Sequence, residues 1–83
     1  MTYSIHYTQD AEKQLYKLEK DIQKRIFSTL ERCRVRPYSV AERLADSPFY
    51  RVRSGDYGVI IDIRQNVLVV LVINIGHRKN IYG

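Results

Sequence analysis

The sequence predicts an α+β fold with the element order β-α-α-β-β-β, in which a helical hairpin packs on one face of a small, mainly antiparallel twisted sheet. Apolar residues recur at helical spacing through residues 11–33. After Pro48 the period of the apolar residues becomes two, as in strands. At 83 residues the chain has length for one modest core, so we expect a single domain over residues 1–83.

A short strand precedes the helices. Residues 2–7, TYSIHY, alternate between two sets of side chains, which is the pattern of a strand. Thr8 is suited to cap a following helix, because its hydroxyl can accept a hydrogen bond from the first turn. Asp10 and Glu12 then lie where the helix dipole favours acidic side chains.

The helical spacing continues too far for one helix on so small a core. We therefore predict helices over residues 9–18 and 21–35, with Asp21 as the second N-cap and Pro37 ending the second helix. The apolar stripe that would face the core consists of Ala11, Leu15, Leu18, Ile22, Ile26, Leu30 and Cys33.

Three strands follow a connector over residues 37–48, which has room for one helical turn. Their sequences are FYRVRS, YGVIIDIR and VLVVLVINI. Gly55-Asp56 and Gln65-Asn66 separate them and are both suited to two-residue hairpin turns. The three strands should therefore form an antiparallel meander.

Turns of this length fix which residues lie opposite one another. Position 53 is then opposite 58, 51 is opposite 60, and 58 is opposite 73. The face for the helices carries Tyr50, Val52, Tyr57, Val59, Ile61, Ile63, Leu68, Val70 and Val72. The other face carries Arg51, Arg53, Gly58, Ile60, Asp62 and Arg64, followed by Val67, Val69, Leu71 and Ile73. Its apolar half would be an exposed patch, typical of a binding surface, if nothing covered it.

The charge balance favours an anionic partner. Lys and Arg number 14 against 9 Asp and Glu, which gives a net charge of +5. A small basic domain of this kind is typical of proteins that meet a polyanion or an acidic protein, although the charge could also serve solubility alone.

Several classes of protein are disfavoured by the composition. Cys33 is the only cysteine, so neither an internal disulfide nor a cysteine-based zinc site is expected, and the histidines show no metal-ligand spacing. The amino-terminal residues lack the features of a signal peptide, and the longest apolar stretch is too short for a membrane span. We expect a cytoplasmic protein that needs no metal or cofactor and contacts no membrane.

Arg51 and Arg53 alternate with apolar residues, so their guanidinium groups should project from one side of the sheet. The end of the last strand brings Arg78 near the sheet edge, with His77, Lys79 and Tyr82 close by. Guanidinium groups bind phosphate through paired hydrogen bonds, tyrosine can stack on a base, and RNA supplies its own 2′-OH nucleophile. The pattern suits an RNA phosphodiester, although a solvated outer face and a packed terminal tyrosine remain alternatives.

Three segments carry a family resemblance that extends over nearly the whole chain. The first helix AEKQLYKL, the hairpin FYRVRSGDYGVII and the ending GHRKNIYG together resemble the RelE/ParE superfamily of toxin–antitoxin toxins, most closely its RelE branch. The resemblance implies a RelE-like fold and a ribosome-dependent endoribonuclease, an mRNA interferase, that cuts mRNA in the A site. It also implies a cognate antitoxin that wraps the toxin with a helix and an added strand in a hetero-oligomer.

Residue by residue, the resemblance implies roles for several of the cationic and aromatic side chains. Arg51 and Arg53 match the basic pair of the family's second strand, Arg78 matches its catalytic arginine, and Tyr82 matches its late tyrosine. Arg53, Arg78 and Tyr82 are therefore the expected catalytic residues. The expected RNA-binding residues are Arg51, Arg53, His77 and Lys79.

Gly58 departs from the RelE pattern, in which an arginine that stabilises the transition state follows the hairpin tyrosine. Losing one such donor can lower a rate by about two to three orders of magnitude. Two alternatives therefore stay open. One is a ParE-like inhibitor that binds DNA gyrase and cleaves nothing; the other is an activity-weakened relative that Gly58→Arg would restore.

Overall fold

The helices and strands follow the predicted order, with short additions in the connector and before the last strand. The computed structural model describes residues 1–77 and 79. The elements are strand β1 (Ser4–Tyr7), helices α1 (Gln9–Tyr16), α2 (Lys20–Cys33) and α3 (Pro37–Val40), strands β2 (Glu42–Arg43), β3 (Tyr50–Ser54) and β4 (Tyr57–Arg64), a 3₁₀ turn (Gln65–Val67) and strand β5 (Val69–His77). The predicted α+β class with a helical hairpin on a mainly antiparallel sheet is confirmed.

The sheet has five strands in the order β1-β5-β4-β3-β2. Strand β1 is parallel to β5, and the other neighbouring pairs are antiparallel. The amino-terminal strand thus lies beside the last strand. Helix α1, which follows β1, packs against β5, and α2 packs against β3.

The core lies between the predicted helical stripe and the predicted sheet face. Side chains of both are buried, and each buried Val, Leu or Ile side chain contributes about 1.5–3 kcal/mol relative to an exposed one. The buried members are Ala11, Leu15, Ile26, Leu30 and Cys33 from the helices and Val52, Val59, Ile61, Val70 and Val72 from the strands. Leu18, Ile22, Tyr50, Tyr57, Ile63 and Leu68 pack against them in partly buried positions.

One of the two predicted helix caps is confirmed. The Ala11 backbone N–H donates to the Thr8 hydroxyl at 3.1 Å, so Thr8 caps α1. The prediction that Asp21 caps α2 is wrong, because the N-cap position is Glu19, whose side chain makes no capping hydrogen bond. Asp21 instead lies in the first turn, where its charge still suits the helix dipole.

The connector contains the predicted helical turn, α3, and a strand that the sequence did not reveal. Strand β2 has two residues, Glu42 and Arg43, which pair with Arg51 and Tyr50 of β3. A two-residue strand is too short to show alternation, so periodicity could not have found it. It forms the edge of the sheet beside β3.

The first predicted turn is confirmed and the second is wrong. Ser54 pairs with Tyr57 across Gly55 and Asp56, and Gly55 adopts a φ of +61° that suits glycine. The connection after β4 is longer than two residues, because the 3₁₀ turn is followed by Leu68 at a φ of 54°. Arg64 therefore pairs with Val69 rather than with residue 67.

Strand β5 also carries an extra residue, which corrects the predicted position opposite Gly58. The pairing passes from Ile61 with Val72 to Ile60 with Asn74, so Ile73 is inserted between them. The longer connection shifts the register by two residues and the insertion by one more, so Gly58 lies opposite Gly76 and not opposite Ile73. The insertion reverses the alternation beyond it.

The burial of Ile75 shows the effect of this insertion. In a regular strand, every second residue lies on the same face, so Ile75 would lie with Val69 and Leu71 on the outer face. Those two residues are half-buried. Of the predicted outer apolar patch, Val67 is the member with a largely exposed side chain, and it lies in the 3₁₀ turn.

We predict that Cys33 is unreactive in the folded protein. Burial raises the pKa of its thiol from its ordinary value of 9.0 to about 11, against the smaller opposing effect of Arg32. At about pH 8 this lowers the thiolate fraction by roughly a hundredfold, so native labelling by a thiol reagent should be at least that much slower than in urea. Because the folded pKa is raised, the stabilising contribution of the neutral thiol is complete below pH 9.0 and is lost as the pH rises towards about 11. Equal labelling rates in the folded and unfolded chain would contradict this assignment.

Candidate functional site

Arg51 and Arg53 lie on the sheet face opposite the helices, as their alternation predicts. The intervening Val52 is buried in the core, and the Ser54 hydroxyl lies 3.3 Å from that of Thr29 in α2. Arg51 pairs with Ile60 and Arg53 with Gly58, which confirms the predicted β3–β4 register. The two guanidinium groups therefore share one face.

An acidic residue that sequence reasoning missed lies between these arginines. Glu42 Oε2 accepts a hydrogen bond from Arg51 Nη2 at 2.9 Å, and Glu42 Oε1 is 4.0 Å from Arg53 Nε. The side chain of Arg51 is 19% exposed, against 52% for Arg53 and 62% for Glu42. Glu42 joins the arginines because it pairs with Arg51 between β2 and β3. The sequence pattern gives no signal for this pairing.

Glycines occupy the positions next to Arg53 on the neighbouring strands. Gly58 of β4 lies between Arg53 on one side and Gly76 of β5 on the other. Neither glycine contributes a side chain to this row, and Gly58 is buried. The position at which the resemblance expects an arginine is thus directly beside Arg53. Glycine at this position leaves one charge fewer on the sheet face that carries Arg51 and Arg53, which we call the arginine surface.

His77 lies on the other face of the sheet from the two arginines. It pairs with Tyr57, and their rings make an edge contact with centroids 5.5 Å apart. The Lys79 backbone N–H donates to His77 Nδ1 at 3.3 Å, and the Lys79 side chain is exposed. In this arrangement His77 acts as an acceptor for the following backbone and is not brought together with Arg51 and Arg53. Its predicted contact with RNA stays a prediction, as does that of Lys79.

Arg78 and Tyr82, the remaining predicted catalytic residues, lie outside the described residues. Among residues 1–77 and 79, no group of three or more His, Cys, Asp or Glu side chains is arranged to hold a metal ion. No helix in the same part of the chain is long and apolar enough to cross a bilayer.

Helix α1 holds the irregular part of β5 from which the strand continues to His77. The Thr8 hydroxyl donates to the carbonyl oxygen of Ile73 at 3.2 Å. Gln14 Oε1 accepts from the Ile75 N–H at 2.7 Å, while Gln14 Nε2 donates to Asn74 Oδ1 at 2.6 Å. These bonds satisfy backbone groups at the insertion, where the regular ladder is interrupted.

Comparison with known proteins identifies the family. The family model described as the ParE toxin of the type II toxin–antitoxin system parDE matches residues 5–82. The chain belongs to this toxin family. It is a toxin of the RelE/ParE superfamily of type II toxin–antitoxin systems. No curated protein matches the chain in sequence.

Solved structures of RelE proteins share the fold of this toxin. A chain of the RelBE2 toxin–antitoxin complex from Mycobacterium tuberculosis is 21% identical, with a TM-score of 0.84 over 94% of this chain and 100% of that one. The archaeal RelE–RelB complex from Pyrococcus horikoshii OT3 gives 23% identity and a TM-score of 0.82 over 96% and 99% of the two chains. The isolated E. coli RelE toxin is 20% identical, with a TM-score of 0.80 over 96% of this chain and 90% of that one. At these identities the likeness establishes the fold.

We predict that Gln14→Leu lowers the free energy of unfolding of this toxin by about 1–3 kcal/mol, because it leaves the Ile75 N–H without its acceptor. Urea denaturation gives this difference, and hydrogen exchange should accelerate at the Ile75 amide. Gln9→Leu is the control, since Gln9 is exposed at the start of the same helix and should change stability by less than about 0.5 kcal/mol. Equal stability of both variants would show that the Gln14 bonds do not hold β5.

Proposed function

We propose that this toxin is a ribosome-dependent endoribonuclease that cleaves mRNA in the A site. The observation that carries the proposal is the placement of Arg51 and Arg53 side by side on the sheet face away from the helices. This face presents cationic donors on one strand, which suits the backbone of a single-stranded RNA.

The proposed reaction uses the nucleophile that RNA itself provides. The 2′-oxygen attacks the adjacent phosphorus, the bond from phosphorus to the 5′-oxygen breaks, and the products are a 2′,3′-cyclic phosphate and a 5′-hydroxyl. The proton of the 2′-OH leaves to a base, and the 5′-oxygen gains a proton. Arg51 and Arg53 neutralise the phosphate, Arg78 stabilises the phosphorane, and Tyr82 stacks on a base or assists proton transfer.

Gly58 bears on the rate of the proposed reaction. Where one preorganised donor to a developing dianion is missing, a rate falls by about two to three orders of magnitude. Arg53 lies directly opposite Gly58, so its exposed guanidinium is the group best placed to compensate. We therefore expect slow cleavage compared with a toxin that carries arginine at this position.

The proposed partners are a cognate antitoxin, the ribosome and mRNA. Support for the antitoxin comes from relatives solved as RelB–RelE complexes, including those of Mycobacterium tuberculosis and Pyrococcus horikoshii OT3. In this proposal residues 1–83 act as one cytoplasmic toxin domain, and the antitoxin forms a hetero-oligomer with it. The net charge of +5 favours association with a ribosome, whose surface is rich in phosphate.

We predict that Arg53→Ala lowers mRNA cleavage in a translation extract by about a hundredfold or more, because a donor to the phosphate is removed. Arg78→Ala should do the same. Arg43→Ala is the matched control: it removes the same charge from exposed Arg43, which pairs with Tyr50 on the other face, and should change cleavage by less than about twofold. Primer extension on a defined message measures the cuts. Undiminished cleavage by Arg53→Ala and Arg78→Ala would refute the assignment.

A second candidate function is inhibition of DNA gyrase without cleavage. The match of residues 5–82 to the ParE toxin family favours it, as does Gly58, since an inhibitor that only binds needs no transition-state arginine. Supercoiling by purified gyrase with added toxin separates the two functions. Loss of supercoiling together with intact mRNA in the extract would replace the ribonuclease proposal by this one.

A further inference from the structure

The arginine surface of this toxin already holds an anion of its own. The carboxylate of Glu42 spans both guanidinium groups, at 2.9 Å from Arg51 Nη2 and 4.0 Å from Arg53 Nε. Each of its two oxygens faces a different arginine. A bridging phosphate would present its oxygens to the same two groups in a similar way.

The carboxylate is held loosely enough to be displaced. Its side chain is 62% exposed, and Glu42 belongs to a strand of two residues at the edge of the sheet. Although the Arg51 side chain is 19% exposed, the Glu42 end of the pair is in contact with solvent, and the long glutamate side chain can rotate into water.

An anion at the same place opposes the binding of another. A phosphodiester that bonded both arginines would lie within roughly 4–6 Å of the carboxylate, where like charges in a largely solvated setting change an affinity by about three- to tenfold. We propose that the Glu42 carboxylate competes with phosphate for Arg51 and Arg53. It thereby lowers the affinity of both arginines for the RNA backbone until the carboxylate is displaced. This inference rests on the proposed function, since it takes the arginine pair as the RNA site.

The test compares two glutamates with matched surroundings. Glu42→Gln removes the charge between the arginines. Glu31→Gln removes the same charge from a residue of similar exposure, 64%, whose carboxylate bonds Arg34 at 3.1 Å on helix α2. Both variants raise the net charge equally, so a difference between them reports the local effect. Thermal unfolding confirms that each variant remains folded.

The probe is a single-stranded 2′-O-methyl RNA oligonucleotide, which lacks the nucleophile and so reports binding alone. Fluorescence anisotropy at low ionic strength should show about three- to tenfold tighter binding for Glu42→Gln and less than twofold for Glu31→Gln. The gain should shrink as salt is added, because screening weakens the repulsion. Arg51→Ala and Arg53→Ala serve as references and should weaken binding.

Each other outcome has a distinct meaning. If Glu42→Gln behaves like Glu31→Gln, or binds more weakly than the wild type, while the arginine variants lose affinity, Glu42 is no competitor and the RNA site stands. If the arginine variants bind the oligonucleotide as tightly as the wild type, the arginine pair is not the RNA site. The proposed function then loses the observation that carries it, and the inference about Glu42 is overturned as well.

Discussion

Burial of one sheet face beneath α1 and α2 is the constraint on which the rest of this structure depends. Val52, Val59 and Ile61 must face the helices to be removed from water, and the period of a strand then sends their sequence neighbours to the other side. Arg51 and Arg53 are on the sheet face away from the helices for this reason. The cationic surface is thus a consequence of how the core is packed, and a shift of register by one residue would bury both charges at a large cost.

The same sheet face carries groups that attract a phosphate and a group that repels one. Two guanidinium groups concentrate positive charge, yet Glu42 lies between them and glycine occupies the neighbouring positions of β4 and β5. Both features reduce the positive field that a phosphate would meet beside Arg53. Under the proposed function, this toxin is expected to bind and cleave RNA more weakly than one with an uninterrupted cationic row.

The extra residue in β5 shows where sequence reasoning fails for a physical reason. Alternation predicts one face for every second residue only while the ladder is regular, and Ile73 interrupts it. The insertion is stable because Gln14 and Thr8, from the other end of the chain, satisfy the polar groups that it leaves unpaired. It reverses the alternation beyond Ile73, so that Ile75 is buried and His77 lies on the face opposite the arginines. No local pattern in the last strand reveals those distant partners.

The sequence by itself determined the α+β class, the two helices and their buried stripe, the first hairpin with Gly55, and the shared face of Arg51 and Arg53. These features follow from local periods and from turn residues, which act over a few neighbours along the chain. Only the tertiary structure decided the pairing of Gly58 with Gly76, the edge strand of Glu42 and the face of His77. The insertion in β5 depends on hydrogen bonds from residues at the other end of the chain, and the edge strand depends on pairing with β3 across a connection without a periodic pattern, so neither can be predicted from a local pattern.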